Sequence, residues 1–391
     1  MSMKIVIAPD SFKESLSAAQ VAAQIEAGFR CIFPDADYVA LPMADGGEGT
    51  VDALVAAASG RRVHVTVTGP ACAPLPSFFG LLGGGRLAVI EMAAASGLAL
   101  LPAACRNPLH TTTRGTGELM LAALDQGCRH LLLGLGGSAT SDGGAGMLQA
   151  LGARLIDREG CSIPCGGAGL AKLADIDLTT LDPRLAECRI DVACDVDNPL
   201  LGPDGAAAVF GPQKGATPGM VAELEAGLGR FADIIAMRLG IDVRAIPGGG
   251  AAGGMGAALA GLLGATMRPG IEIVIEAAGL DAALDGADLL ITGEGRIDGQ
   301  TARGKTPMGV ARVARQHGVP VIGIAGSLSP DVDAACGHGI DAVFSVLYRP
   351  CSLQEALRDA ADNIYLAARN VAALYRLGHG SAISRAAPIP A

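Results

Sequence analysis

The 391-residue sequence predicts an α/β fold in which a doubly wound parallel sheet is interrupted by an inserted α/β domain. Short β-branched runs end in polar or glycine-rich loops and are followed by helical patterns. Two of these strand–loop–helix units precede residue 60, and three follow residue 285. The intervening stretch of roughly 200 residues has strands of its own, and a structureless connection of that length would be very unusual. A second domain inserted into the first is therefore the economical interpretation.

The composition is that of a globular protein that does not bind nucleic acid. Half of the residues are hydrophobic and 17% are charged, so the chain can bury a large core. The net charge is −10 and only 3% of residues are aromatic, whereas nucleic-acid binders are usually basic and often use aromatic side chains to stack on bases. The 56 glycines indicate many tight turns and backbone that closely approaches a ligand.

The elements of the first domain follow one another in a regular order. Residues 4–9 are the first predicted strand, and residues 15–29 have helical spacing with Ser17 as the expected N-cap. Residues 38–42 form the second strand, and an alanine-rich helix follows to about Ser59. The remaining strands of this domain are expected at residues 288–292, 319–325 and 341–346.

We predict that residues 1–62 and 285–377 form the first domain and residues 63–284 the inserted domain, with a disordered tail at 378–391. The expected strands of the inserted domain are residues 62–67, 86–91, 130–135 and 189–193. The uncharged stretch 247–267 is rich in Gly and Ala, which favours a loop leading into a buried helix over a membrane span. No basic segment leads into an apolar stretch at the N-terminus, so we expect a cytoplasmic protein.

The ten cysteines are scattered along the chain. Cys161 and Cys165 are the closest pair, and no second pair or histidine cluster completes a zinc-binding pattern. We therefore expect the cysteines to be reduced residues of the core.

Polar loops are expected at three strand ends of the first domain, at residues 10–13, 44–50 and 293–306. Open parallel sheets bind ligands beyond the carboxyl ends of their strands. The inserted domain adds glycine-rich loops of its own. We expect all of these loops to meet in a cleft between the two domains.

Residues 293–306 form the densest polar segment. From residue 299 onward they fit the P-loop expression, but charged residues separate this stretch from the strand that a P-loop should follow directly. A phosphate-binding loop of another kind is favoured, because Arg296, Arg303 and Lys305 precede a helix whose N-terminus attracts anions. A solvated charged turn is the alternative.

Carboxylates mark two of the other loops. Asp45 and Glu48 share a glycine-rich turn, and neighbouring carboxylates repel each other unless a cation or a proton offsets their charge. This pattern indicates Mg²⁺ or proton transfer, although Glu48 could instead stabilise the dipole of the following helix. Asp195 follows a strand and could hold Mg²⁺ or accept a hydroxyl proton, or it could be structural.

Two loops of the inserted domain offer hydrogen-bond donors. Residues 134–146 alternate glycines with hydroxyl side chains after a strand, which suits an oxyanion or a nucleotide phosphate, and residues 107–118 form a second hydroxyl-rich loop. Residues 134–146 do not match the dinucleotide-binding fingerprint, so a dinucleotide site is disfavoured there, and the hydrolase nucleophile elbow is missing from the sequence. Hydroxyls, carboxylates, lysines and glycine turns are the groups that phosphoryl transfer requires.

Six segments closely resemble, in order, the signature segments of the type 1 glycerate kinases of bacteria: residues 8–16, 44–50, 136–146, 194–200, 209–215 and 293–305. The resemblance extends from about residue 3 to residue 375. Within it the P-loop match looks accidental. Two residues depart from the family pattern, namely Glu14, where a glycine is common, and Ser141, where many relatives have Asn.

The resemblance implies a glycerate 2-kinase of glycerate catabolism, which uses ATP and Mg²⁺ to convert D-glycerate into 2-phosphoglycerate. It also implies a flavodoxin-like domain interrupted by a restriction-endonuclease-like domain. A 3-phosphoglycerate-forming kinase, a non-catalytic sugar-acid sensor on the same fold and a P-loop NTPase acting on a macromolecule are the alternatives. The expected partners are small molecules, with neither nucleic acid nor membrane, and the sequence is compatible with a homodimer.

Within this hypothesis, Asp195 or Asp298 takes the proton of the attacking hydroxyl, and lysines steady the transferring phosphoryl group. The expected catalytic residues are Lys13, Asp195, Asp298 and Lys305. The expected substrate-binding residues are Asp10, Ser11, Arg296, Asn198, Gln213 and Lys214, with Arg296 on the glycerate carboxylate. The expected nucleotide- and phosphate-binding residues are Gly136, Gly137, Ser138, Asp142, Thr112, Thr113, Gly115 and Glu294. The expected metal-binding residues are Asp45 and Glu48.

Overall fold

The computed structural model describes residues 2–298, 306–330, 332 and 339–379. The chain divides into two compact units, the first built from Met1–Met43 and Ala278–Ala391 and the second from Ala44–Ala277. Each unit combines helices with a sheet that is wholly or largely parallel, so the predicted α/β class is confirmed.

The strands are β1 Lys4–Ile7, β2 Asp37–Ala40, β3 Arg61–Thr68, β4 Pro74–Leu82, β5 Leu87–Glu91, β6 His130–Gly134, β7 Arg154–Ile156, β8 Asp175–Asp177, β9 Arg189–Ala193, β10 Thr266–Arg268, β11 Leu289–Ile297, β12 Val321–Leu328 and β13 Ala342–Ser345. The helices are α1 Ala18–Arg30, α2 Thr50–Ala57, α3 Ala93–Ser96, α4 Arg114–Asp125, α5 Ala145–Ala150, α6 Ala206–Phe210, α7 Pro218–Leu239, α8 Ala251–Leu262, α9 Gly270–Ala278, α10 Leu280–Leu284, α11 Thr306–Gln316, α12 Leu353–Arg358 and α13 Ala360–His379. Short 3-10 helices occur in several loops.

The sheet of the first unit has the strand order β13-β12-β11-β1-β2, and all of its strands are parallel. Ile5 and Ile7 of β1 pack with the core on the side of α1 and α13, while Val6, which points the other way, is also fully buried. Burial on both faces explains why β1 is a continuous apolar run, whereas the edge strands β2 and β13 are only partly buried. The five strands predicted for this domain are therefore confirmed, and so is the N-cap, because the Ser17 side chain accepts a hydrogen bond from the Gln20 N–H.

The second unit has a mixed sheet of order β10-β9-β6-β5-β4-β3, in which only β4 and β3 are antiparallel to their neighbours. Its four predicted strands are present, but β4 and the short β10 were not predicted. Pro74 and Pro76 argue against a strand in sequence, because proline cannot donate to a β-ladder. They are tolerated here because β5 pairs only with residues 80–82 of β4, which leaves the proline-containing end with β3 as its paired strand.

The predicted domain boundaries differ from the boundaries of the units. Helix α2 was predicted in the first domain, but it lies in the second unit and packs on β4 and β5. Gly80 of β4 makes room for it, since a Cβ there would lie 3.1 Å from Val55 Cγ2. The loop predicted from residue 293 is also different, because β11 continues to Ile297 and pairs with β12 throughout.

The glycine-rich stretch around residue 250 forms a loop followed by α8, as predicted. Ala251 to Leu259 of this helix are buried in the core of the second unit. No helix among the described residues combines the length and the apolar character needed to span a bilayer.

Candidate functional site

The second unit contains a cleft of about 350 Å³ beyond the carboxyl ends of β6 and β9. This is the edge at which open parallel sheets bind ligands. The cleft is lined by Asp45, Gly46, Gly47, Leu98, Leu135, Gly136, Gly137, Ser138, Ala193, Cys194, Asp195, Val196, Phe210, Gln213, Ala251 and Ala252. It combines an apolar wall with two carboxylates, an amide and a glycine-rich loop.

Glycines place the Asp45 turn directly against these strand ends. Gly46 has φ +88°, a conformation that other residues rarely adopt. A Cβ on Gly134 would lie 2.3 Å from the backbone oxygen of Gly46, and a Cβ on Gly270 would lie 1.9 Å from the backbone oxygen of Asp45. Three backbone segments therefore meet at distances that leave no room for a side chain. The Asp45 carboxylate accepts a hydrogen bond of 3.0 Å from the Gly47 N–H, which orients it at the rim of the cleft.

Asp195 lies beside Asp45 in the same cleft. Its Oδ1 accepts a 2.9 Å hydrogen bond from the backbone N–H of Gly270, the first residue of α9. Asp195 is exposed as a residue, but its carboxyl is partly shielded from solvent, and this shielding raises its pKa above the ordinary value. The Gly270 N–H opposes the rise, and the negative charge of Asp45 adds to it. Asp195 is therefore a stronger base than an ordinary carboxylate.

The Gly136-Gly137-Ser138 loop forms one side of the cleft. Gly137 has φ +72°, and its carbonyl accepts a 2.8 Å hydrogen bond from the Leu98 N–H. Ser138 forms an isolated β-bridge with Gly97. The loop is thus fixed to the segment that follows α3, and its two glycines are exposed. An exposed glycine turn of this kind can bring backbone N–H groups close to an anion.

Asp142 lies beneath this loop and is enclosed by the protein. It accepts hydrogen bonds from the Thr113 N–H and hydroxyl, both at 2.9 Å, from the Gly144 N–H at 3.1 Å and from the Gly146 N–H at 3.2 Å. Burial raises the pKa of the Asp142 carboxyl and these four hydrogen bonds oppose the rise. The side chain holds the Thr113 loop to the start of α5 and does not line the cleft.

The neighbouring residues predicted to bind nucleotide are also packed inside the unit. Thr112 and Thr113 are 0% exposed, and Thr113 Oγ1 accepts a 3.0 Å hydrogen bond from the Met147 N–H. A Cβ on Gly115 would lie 2.1 Å from the Thr68 oxygen, so this glycine serves close packing. Sequence could identify the loop as polar but could not tell its internal hydrogen bonds from contacts to a ligand.

Lys214 is a fully buried lysine, 1% exposed, whose Nζ donates a 2.6 Å hydrogen bond to the Thr140 oxygen. Burial lowers its pKa to about 7, and the nearby Asp142 opposes that change. The preceding residue, Gln213, is exposed and lines the cleft. Lys214 therefore joins the segment that carries Gln213 to the segment that follows Ser138. Asn198, another residue predicted to bind substrate, donates to the Asp204 oxygen at 2.8 Å within its own loop.

The cleft supplies the number of carboxylates that a magnesium ion usually needs from a protein. Mg²⁺ is usually held by one or two carboxylates together with waters and substrate phosphates. Asp45 and Asp195 form such a pair, whereas Glu48 is exposed and does not line the cleft. Among the described residues no group of three His, Cys, Asp or Glu side chains could hold a metal by itself. The donor set suits a metal that arrives with a phosphate ligand.

A second polar cluster lies on the first unit, at the carboxyl ends of the adjacent strands β1 and β11. The strand order reverses direction between these two strands, which is the point where open sheets bind ligands. Asp10, after β1, accepts hydrogen bonds from the Ser11 N–H at 2.6 Å and the Thr306 hydroxyl at 2.8 Å. A Cβ on Gly295 of β11 would lie 3.7 Å from the backbone nitrogen of Lys13, so the two strand ends are close together.

The charged side chains of this cluster differ in exposure. Lys13 is exposed, and Arg296 is 65% exposed with its Nε 3.4 Å from Asp298 Oδ2. Glu294 is buried. The structure thus brings Asp10, Ser11, Lys13, Glu294, Arg296 and Asp298 to one sheet edge, and Lys305 lies outside the described residues.

Three features of the second unit were not predicted from sequence. The Gly270 N–H on Asp195 comes from a segment without a recognisable motif. The apolar wall formed by Leu98, Leu135, Val196 and Phe210 comes from four separated segments. Glu91 was missed as well. It is buried and accepts a 2.7 Å hydrogen bond from the Val51 N–H at the start of α2, the helix whose dipole Glu48 was considered to stabilise.

Comparisons with known proteins agree on one family. The model of the glycerate kinase family matches residues 5–376. Glycerate 2-kinase of Escherichia coli strain K12 is 57% identical over 96% of this chain and 99% of its own, and glycerate kinase of Bacillus subtilis strain 168 is 56% identical over 96% and 98%. A crystal structure of a glycerate kinase 2 candidate from Salmonella typhimurium LT2 superposes with a TM-score of 0.89 at 58% identity, covering 97% of this chain and all of that one.

Proposed function

The chain belongs to the glycerate kinase family, and we propose that it transfers the γ-phosphoryl group of ATP to the 2-hydroxyl of D-glycerate. The products are 2-phosphoglycerate and ADP. A bond forms between the hydroxyl oxygen and the γ-phosphorus, the bond to the β-phosphate oxygen breaks, and the hydroxyl proton needs an acceptor. Relatives that share 54–57% identity with this chain are named glycerate kinases or glycerate 2-kinases.

The observation that carries the proposal is the Asp45–Asp195 pair beside an exposed glycine turn in one cleft. Asp195 is our candidate for the general base. Its raised pKa makes it the better proton acceptor, and the Gly270 hydrogen bond holds Oδ1, leaving the other oxygen for the hydroxyl. Asp298 is the weaker candidate, because the guanidinium of Arg296 lies next to its carboxylate.

Magnesium is part of the proposal, with Asp45 as the residue that would hold it. The ion would supply positive charge to the phosphates of the nucleotide, which the net charge of −10 otherwise opposes. The N–H groups of Gly136, Gly137 and Ser138 would donate to phosphate oxygens. Asp142, Thr113 and Lys214 would then fix the position of this loop without touching the nucleotide.

The exposed cations of the first unit are proposed to bind anionic groups of the substrates. Arg296 is assigned to the glycerate carboxylate, and Asp298 to the orientation of Arg296, because a guanidinium pairs well with a carboxylate. Lys13 is assigned to a phosphate. A role for Lys305 in phosphoryl transfer stays a prediction from the sequence.

The finer fold assignment also stays a proposal. The strand order of the first unit, renumbered within that unit, is 2-1-3-4-5, which is the flavodoxin-like order. This order supports a flavodoxin-like first domain. The restriction-endonuclease-like assignment of the second domain, the location in the cytoplasm and the assembly as a homodimer stay predictions from the sequence.

The proposal is tested by measuring ADP release with D-glycerate, with and without Mg²⁺. We expect release that depends on both. Binding of glycerate without turnover would favour a sugar-acid sensor, and ATP hydrolysis independent of glycerate would favour an NTPase. Phosphorus NMR of the product then distinguishes 2-phosphoglycerate from 3-phosphoglycerate.

The assignment of the base is tested by comparing Asp195→Asn with Asp298→Asn. We expect Asp195→Asn to lower kcat by about 100- to 10,000-fold, the range typical of a lost general base. Asp298→Asn should mainly raise the KM for glycerate. Asp197→Asn, a change of an exposed residue in the same loop as Asp195, serves as the control. Near-normal kcat in Asp195→Asn would reject Asp195 as the base.

A further inference from the structure

The apolar wall of the cleft has no assigned role in the proposed function. It is formed by Leu98, Leu135, Val196 and Phe210. Val196 is 39% exposed and Phe210 is half-buried, so part of this apolar surface faces water. A ligand that covers the wall removes apolar surface from water, which favours binding.

The wall suits the base of the nucleotide better than it suits glycerate. Each of the three carbons of glycerate carries oxygen, so glycerate offers polar groups and little apolar surface. The base is the flat and largely apolar part of ATP, and bases bind well on aromatic rings because every base has a π-face. The base is therefore the part of the two substrates that an apolar wall with a phenylalanine ring can hold.

The wall borders the glycine turn that we assign to the phosphates. Leu135 directly precedes Gly136, and the Leu98 N–H donates a 2.8 Å hydrogen bond to the Gly137 oxygen. The wall and the turn line the same cleft of about 350 Å³. A nucleotide whose phosphates lie on the turn therefore has the wall within reach of its base.

One segment presents both an aromatic ring and an amide to the cleft. Phe210 is the last residue of α6, and Gln213 lies in the 3-10 turn that follows. The Gly211 N–H donates a 3.0 Å hydrogen bond to the Ala207 oxygen, and the Lys214 N–H donates a 3.0 Å hydrogen bond to the Gly211 oxygen. The Lys214 side chain is buried, so the turn offers the cleft an amide and no cation.

We propose that the adenine base of ATP lies on the apolar wall against the Phe210 ring, and that the Gln213 amide recognises its edge. This inference rests on the proposed function, because it takes ATP as the nucleotide. The amide oxygen would accept from the amino group at C6 of adenine, and the amide N–H would donate to N7. Guanine and hypoxanthine have an oxygen at C6, which repels the amide oxygen. Gln213 then contacts the nucleotide, whereas the sequence suggested contact with glycerate.

The binding of ADP and of inosine diphosphate to the full chain, measured by titration calorimetry, tests the proposal. Inosine diphosphate has an oxygen in place of the amino group at C6. We expect ADP to bind about 5- to 150-fold more tightly, the range for one bidentate amide–base pair. Gln213→Ala should weaken ADP binding and remove this preference. Phe210→Ala should weaken the binding of both nucleotides by about 5- to 150-fold, because both bases stack.

Val209→Ala is the matched control. Val209 is the exposed neighbour of Phe210 in α6 and does not line the cleft, so this variant should bind both nucleotides like the wild type. Equal affinities of the wild type for ADP and inosine diphosphate would overturn the assignment of Gln213. Unchanged ADP binding in Phe210→Ala would overturn the assignment of the wall.

Steady-state kinetics separates this inference from the proposed function. Gln213→Ala should raise the KM for ATP and leave the KM for glycerate unchanged, and the reverse pattern would contradict the base site. A wild-type chain that binds ADP with the expected preference but shows no turnover with glycerate would refute the proposed function alone. Normal turnover with an unchanged KM for ATP in both Phe210→Ala and Gln213→Ala would refute the base site alone.

Cys194 gives a further readout that needs no substitution. It lines the cleft, and its thiol donates a 3.2 Å hydrogen bond to the Val196 oxygen. A base on the wall should cover Cys194, so ADP should slow its alkylation by iodoacetamide, and pyrophosphate, which lacks a base, should slow it less. Equal alkylation of Cys194 with and without saturating ADP, or equal protection by ADP and pyrophosphate, would contradict the proposal.

Two other cysteines are internal controls for the same measurement. Cys161 and Cys165 were expected in the core, but this expectation is wrong for them, since both are exposed. Neither lines the cleft, so ADP should leave their alkylation unchanged.

Discussion

The backbone N–H of Gly270 donates a 2.9 Å hydrogen bond to Oδ1 of Asp195. Gly270 also lies so close to the Asp45 turn that a Cβ on Gly270 would be 1.9 Å from the backbone carbonyl oxygen of Asp45. One glycine thus contacts the Asp195 carboxylate and the backbone that carries Asp45. Asp45 in turn raises the pKa of Asp195, so the spacing set at Gly270 affects the chemistry of the proposed base.

Gly270→Ala should lower kcat by about 10- to 100-fold, because displacing a reacting group by about 1 Å can cost that much. The clash is with backbone, which cannot rotate away. Steady-state kinetics with both substrates measures the effect. The control is Gly219→Ala in α7, where nothing lies within 4 Å of the new Cβ and activity should be normal. Normal kcat in Gly270→Ala would show that this packing does not position the carboxylates.

Asp45→Asn should lower the pKa of the Asp195 carboxyl in the chain free of Mg²⁺. The negative charge of Asp45 raises that pKa, and the substitution removes this charge. The titration of the Asp195 carboxyl is followed by NMR without Mg²⁺, because a bound ion would offset the charge of Asp45. Asp197→Asn, whose charge does not contribute to the shift of Asp195, should leave this titration in place. An unchanged titration in Asp45→Asn would show that the two carboxylates do not interact.

Asp142→Asn should destabilise the protein by about 2–4 kcal/mol, since an amide cannot accept all four hydrogen bonds that the buried carboxylate accepts. Denaturant unfolding measures the loss. Asp177→Asn provides a comparison with a half-buried carboxylate at the end of β8 that accepts hydrogen bonds from the Thr179 N–H and hydroxyl, where the cost should be much smaller. Unchanged stability together with a selective rise in the KM for ATP would instead indicate that Asp142 contacts the nucleotide.

Lys214 should make stability increase with pH above neutrality. Its pKa is about 7 in the folded chain and 10.5 in the reference state, so between these values the unfolded chain carries a proton that the folded chain lacks. The free energy of unfolding then rises by up to about 1.4 kcal/mol per pH unit in this window, and the effect is absent below pH 7. Lys214→Met should lose this slope, whereas the exposed Lys172→Met should keep it. Equal slopes in wild type and Lys214→Met would contradict the assigned pKa.

The sequence could predict the first unit well because its central strands β1, β11 and β12 are largely buried on both faces. Runs such as Ile5 to Ile7 are apolar at every position, and their polar loops follow at strand ends. The same reasoning failed for β4, where Pro74 and Pro76 obscured the strand, and for α2, because an amphipathic pattern does not show which sheet a helix covers. Local patterns predict an element but not always its neighbours.

The sequence by itself determined the α/β class, the polar strand ends and the family resemblance, since these depend on residue types in local order. Only the tertiary structure decided which polar residues face a cleft. Asp195 and Asp142 both follow glycine-rich or strand-end patterns, yet the first lines the cleft and the second is enclosed by four hydrogen bonds. That difference depends on contacts from Gly270 to Asp195 and from Thr113 to Asp142, which are 75 and 29 residues apart in sequence, and no local pattern encodes such contacts.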